Sequence, residues 1–160
     1  MKKYSIEIKW GIIFALMGLL WMVLERLAGL HDEHLDKHVI YTNFVAIPAI
    51  AIYVFGLLEK RKKDYEGSMS YWQGFKAGLI ITLVVTLLTP LTQWLTLSVI
   101  TPDYLTNAKN FAVESGNMQR EEAEAYFTQG NYMVQSIVGA PIMGILTSAI
   151  VALFTRKSKN

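Results

Sequence analysis

Stretches without charge constrain this chain more than any other feature. Fifteen residues separate Lys9 from Glu25, 20 separate His38 from Glu59, 26 separate Lys76 from Asp103, and 31 separate Glu124 from Arg156, all uncharged. A hydrocarbon core about 30 Å thick is crossed by about 20 mostly apolar residues in a helix. Three stretches reach that length outright, and the first reaches it by taking in Glu25 and Arg26. A soluble bundle would need a water-facing polar stripe on each outer helix, and segments such as Leu79–Leu88 have none. The composition agrees: 18% of residues are charged, against roughly 25% in soluble domains. The expected fold class is an all-α integral membrane protein, one membrane domain over 1–160. Its four transmembrane helices are expected at about 9–30, 39–58, 76–100 and 132–155, with an extracytoplasmic amphipathic helical segment, 101–131, between the third and fourth. Lys2 and Lys3 precede an apolar stretch as in a signal peptide. No small-residue cleavage pattern follows, and Glu7 and Lys9 interrupt the segment, so it reads as a retained span. With no cysteine there is no disulfide, no thiolate nucleophile and no thiolate metal site.

The basic residues orient the spans. With the N-terminus inside, 11 of the 15 Lys and Arg residues fall on the inner side, including Lys60–Lys63, and only Arg26, Lys37, Lys109 and Arg120 fall outside. Retention of positive charge on the cytoplasmic side is the standard orienting signal. Both termini are therefore expected in the cytoplasm. Trp10, Tyr71 and Trp72 fall at the inner interface, and Tyr41, Trp94, Tyr104 and Tyr132 at the outer one, where amphipathic rings settle. Lys60–Lys63 is expected to meet anionic headgroups and Arg26 to snorkel to the outer ones.

Between the third and fourth spans, Thr101-Pro102-Asp103 reads as a helix start. Gly116-Asn117 reads as a C-cap followed by a new N-cap, and Met118–Phe127 as a second short helix ending near Gly130. A helical hairpin on the outer bilayer surface is the simplest reading, with a protein partner docking there as the sharper one. The strings GLHDEHLDKH (Gly29–His38), ITPDYL (Ile100–Leu105) and EEAEAYF (Glu121–Phe127) resemble the bacterial domain-of-unknown-function family 4199. The resemblance covers the whole chain. It implies a protein of the cytoplasmic (inner) membrane of a Gram-negative bacterium and carries no activity or catalytic residue with it.

Polar residues inside the spans mark where a site would lie, because they are costly unless they face inward and find partners. At 1.5 Å rise per residue, Glu25, Asn43, Gln93 and Gln135 lie between about 22 and 30 Å from the inner ends of their helices. With Thr89 they make a candidate polar pocket in the outer leaflet. On the third helix, Gly74, Gly78, Thr82, Thr86, Thr89, Gln93 and Thr96 share one face. On the fourth, Ala140, Gly144, Ser148 and Ala152 recur every four residues, a spacing that packs helices closely. Pro48 and Pro90 are candidates for kinks that widen the pocket. His31, His34 and His38 are all the histidines of the chain. If the segment continues as helix they share one arc, able to bind a divalent metal with Glu25 beneath. Because the connection is short and must reverse the chain, the simpler expectation is a solvated polar turn or a hydrogen-bonded histidine cluster, with no cofactor.

No phosphate-binding glycine loop, nucleophile elbow or zinc-protease motif occurs. The function expected is a non-enzymatic membrane or interaction component, partnered by the lipid bilayer, with a homodimer through the fourth helix and without nucleic acid. A small transporter or permease subunit using the outer pocket is the first alternative. A metal-dependent membrane enzyme using the histidines is the second.

Overall fold

The computed structural model describes residues 4–158, and four of its helical stretches are long and apolar enough to cross a membrane. The first is α1 (Ser5–Leu27). It stops at Leu27, short of the expected 30, because Gly29 adopts φ 72°. The Gly29 N–H reaches the Arg26 carbonyl and the Leu30 N–H reaches the Glu25 carbonyl, each at 3.0 Å, which is the Schellman ending that a residue without Cβ permits. The second stretch is broken. A short helix, α2 (Leu35–Tyr41), passes through a 3-10 turn at Thr42–Val45 into α3 (Ala46–Asp64). Pro48 accounts for the tightening: it has no N–H for the Phe44 carbonyl, and its ring crowds that oxygen.

The third stretch, α4 (Tyr71–Leu95), opens on a capping box between Ser70 and Gln73, contains Pro90, and ends in a π-helical turn over Thr96–Ile100. Two short helices follow, α5 (Tyr104–Glu114) and α6 (Arg120–Tyr126), joined through a second Schellman ending at Gly116, φ 72°. The last helix, α7 (Gln129–Thr155), begins with the Thr128 hydroxyl accepting from the Asn131 N–H. Gly130 therefore sits in the first turn of α7 and does not end α6. Among the described residues no strand forms; Met69 and Lys157 make an isolated backbone bridge that ties the end of the chain to the α3–α4 loop.

Helix α4 is the central element, packed between α1 and α7, with α3 closing the far side. The two small-residue stripes meet each other. Gly78 lies against Ser148, Gly144 against Thr82, and Gly74 against Ala152. The stripe on α7 is thus occupied within the chain, and its outward face is apolar, with Val138, Ile142, Leu146 and Ile150 exposed. A buried hydroxyl cluster crosses the same seam: Tyr53 on α3 meets Thr82 at 2.9 Å, and Thr82 lies 3.3 Å from Ser148.

One end of the bundle is basic, and several of its charges find partners within the fold. Glu7 and Lys60 are both buried, at 1% and 6% exposure, and pair at 2.7 Å; Lys60 also pairs with Asp64 at 2.6 Å. Glu59 gathers Lys9, Lys63 and the Trp10 indole N–H. Arg61 donates to the Thr155 carbonyl at the end of α7. Of the basic run expected at the headgroups, Lys60 is therefore an interior ion-pair residue. At the opposite end the exposed Arg26 donates to the Ile100 carbonyl at the end of the π-turn.

Candidate functional site

The end of the bundle that carries α5 and α6 holds a cavity of about 380 Å³, within the ordinary range for small-molecule sites. It exists because the Thr face of α4 serves two purposes along its length. Over Gly74, Gly78 and Thr82 it is packed tight against α7. Beyond Val85 the same face borders the cavity, which Thr89, Thr92, Gln93 and Thr96 line. These polar side chains are not interchangeable: the Thr89 hydroxyl donates back to the Val85 carbonyl and that of Thr92 to the Thr89 carbonyl, while Gln93 accepts from Ser136 on α7 at 2.9 Å.

The cavity is amphipathic. Its floor is made by Phe14, Leu19 and Val85, and Phe14 and Val85 also pack on the buried cluster of Tyr53, Leu57, Ile81 and Val151. That cluster closes the basic half of the bundle. Towards the other end the lining turns polar, with His31, His38, Tyr104 and Tyr132 added to the α4 side chains.

The polar end is assembled by the chain reversal at Gly29. Glu25, the last buried residue of α1 at 2% exposure, points one carboxylate oxygen at Trp21 one turn earlier; the indole N–H donates to Oε1 at 2.6 Å. The other oxygen, Oε2, faces both imidazoles. It lies 3.1 Å from Nε2 of His31 in the loop and 3.5 Å from Nε2 of His38 on α2. His31 is 4% exposed, and its Nδ1 has no hydrogen-bond partner among the described residues. Tyr104 of α5 stands over both rings, 5.1 Å from His31 and 5.4 Å from His38 between centroids. Burial holds the Tyr104 phenol above its ordinary pKa, so it stays protonated at neutral pH. Asn107 of α5 fixes the loop by donating to the His31 carbonyl at 3.1 Å.

The residues singled out from sequence divide accordingly. Glu25, Thr89 and Gln93 converge on this region. Asn43 is exposed on the 3-10 turn and spends its amide on the Val39 carbonyl, and Gln135 is exposed on α7 one position from the inward Ser136. His34 is exposed at the N-cap position of α2, makes no side-chain capping bond, and lies outside the cluster of the other two histidines. The single arc required one continuous helix from His31 to His38, and the helix break at Gly29–His34 removes that geometry while folding His31 back towards Glu25. Sequence reasoning did not assign Trp21, Tyr104 or Tyr132 to the site. Trp21 carried a signal, the i,i+4 spacing to Glu25 on one helix face. The two tyrosines carried none, since only the docking of α5 and the start of α7 brings them in.

Comparison with known proteins gives one match. The family model described as a protein of unknown function, DUF4199, matches residues 9–157. No curated protein and no solved structure matches the chain.

Proposed function

The chain belongs to the DUF4199 family, whose description assigns no function, and from its own residues we propose a multi-pass inner-membrane binding protein. Its non-enzymatic role is to hold a small membrane-dissolved amphiphile in the cavity. The orientation follows the charges. The end with Lys9, Lys60–Lys63 and Arg156 faces the cytoplasm, and α5 and α6 lie outside, so the cavity sits in the outer leaflet.

The observation that carries the reading is the cavity's polarity gradient: hydrocarbon lining at Phe14, Leu19 and Val85, then hydrogen-bonding groups at Gln93, Tyr104 and His31. An amphiphile placed tail inward satisfies both ends, and the unpartnered His31 Nδ1 gains a partner from its head group. Retention is favoured over a through-path because the core around Tyr53 and Leu57 closes the basic half.

Gly18 supplies the test. It lines the cavity, and a Cβ built there meets nothing within 4 Å, so Gly18→Leu starts in open space and extends into the cavity. Small molecules extracted from mildly solubilised wild type should include one amphiphile enriched over bulk lipid. Gly18→Leu of unchanged melting temperature should lose at least about five-fold of it. Equal recovery from both proteins, or no enriched species, removes the proposal.

A further inference from the structure

We propose that Glu25, His31 and His38 form a divalent transition-metal site at the polar end of the cavity, with Zn2+ the best-suited ion. Their donor atoms, Oε2 of Glu25 and Nε2 of each histidine, all lie within 4.8 Å of one another. The two carboxylate–imidazole distances, 3.1 and 3.5 Å, are uneven as hydrogen bonds, and the second exceeds the usual N–H···O range of about 2.7–3.2 Å. They suit a shared ion better. Ligand bonds of about 2.0–2.1 Å at tetrahedral angles set neighbouring donor atoms about 3.3 Å apart, midway between the two. Small displacements of two imidazoles would complete the geometry.

The surroundings supply what such a site needs. Trp21 binds the other carboxylate oxygen and so turns Oε2 towards the histidines, the orienting contact that a ligating carboxylate commonly has. Tyr104 packs on both rings. Two neutral imidazoles and one carboxylate are a borderline donor set, suited to Zn2+ and Co2+ over Mg2+ or Ca2+, which take oxygen ligands. Three protein ligands leave at least one position for a non-protein oxygen donor. With Nε2 on the ion, the His31 proton moves to Nδ1, the atom without a protein partner. The site therefore offers an ion and an N–H together. It stands on the three donor atoms and does not depend on what fills the cavity.

The test uses the full chain, purified without a histidine tag or chelator, then stripped and titrated with Zn2+ and, separately, Co2+. One equivalent per chain should bind, with a raised melting temperature. The Co2+ form should show the intense visible bands of a four-coordinate ion. His38→Gln, at a half-buried position, should lower affinity at least ten-fold, whereas His34→Gln should leave it unchanged. Less than about a tenth of an equivalent bound to wild type overturns the proposal. So does equal binding by His38→Gln, or equal loss in His34→Gln, which would mark a surface histidine site. If His38→Gln fails to fold, the decision passes to the wild-type Co2+ spectrum: octahedral-type weak bands overturn the proposal and tetrahedral bands uphold it.

Discussion

Gly78 on α4 and Ser148 on α7 approach so closely that a Cβ built on Gly78 would lie 2.6 Å from the Ser148 Oγ and 3.2 Å from its Cα. Backbone stands behind the side chain there, so the helices must part to admit a methyl group. In lipid, where helix association relies on close packing and not on exclusion of water, that seam is a main source of the bundle's cohesion.

Gly78→Ala is therefore expected to cost about 2 kcal/mol, the usual range for overpacking a tight contact. Gly139→Ala, on α7 with nothing within 4 Å of the added Cβ, should leave stability unchanged or slightly raised through helix propensity. Thermal unfolding in one detergent, compared across the three proteins, decides it; equal melting temperatures for Gly78→Ala and wild type would show that the seam is loose.

The buried ion pair gives an asymmetric expectation. Lys60→Met leaves Glu7 buried with its charge uncompensated and should cost about 3–5 kcal/mol. Glu7→Gln should cost clearly less, because Lys60 retains Asp64 at 2.6 Å. The double substitution should recover part of the loss of Lys60→Met. Equal destabilisation by the two single changes would mean that Asp64 gives Lys60 no alternative partner.

Orientation is checked with reporter insertions at two glycines whose φ is positive and whose surroundings are open, Gly67 (φ 86°) and Gly116 (φ 72°). The expected result is a cytoplasmic signal at Gly67 and an extracytoplasmic one at Gly116. An extracytoplasmic signal at Gly67 would invert the bundle and move the cavity to the inner leaflet.

Much of the site was legible residue by residue. Glu25 was marked by its cost in a span, and Thr89 and Gln93 by their helical face. What failed was inference by depth. Asn43 and Gln135 have suitable heights along their helices but point out of the bundle, and height fixes only one of the three coordinates that bring groups together. The histidine arc failed for a related reason: one residue, Gly29 with φ 72°, ended the helix on which the arc depended.

The sequence by itself determined the four membrane-length helices, because burying backbone in lipid leaves helix as the structure a single apolar stretch can adopt. It also determined the helix ending at Gly116 as a candidate stop, and the two small-residue stripes. Those are local properties, set by composition and by periodicity within about one turn. Which stripe faces which helix, that the Thr face of α4 is tight at Thr82 and open at Gln93, and that Trp21, His31, His38 and Tyr104 surround one carboxylate belong to the tertiary structure alone. They depend on how far apart packed helices sit, and that separation is fixed jointly by side chains from α1, α4 and α7 that no single stretch of sequence contains.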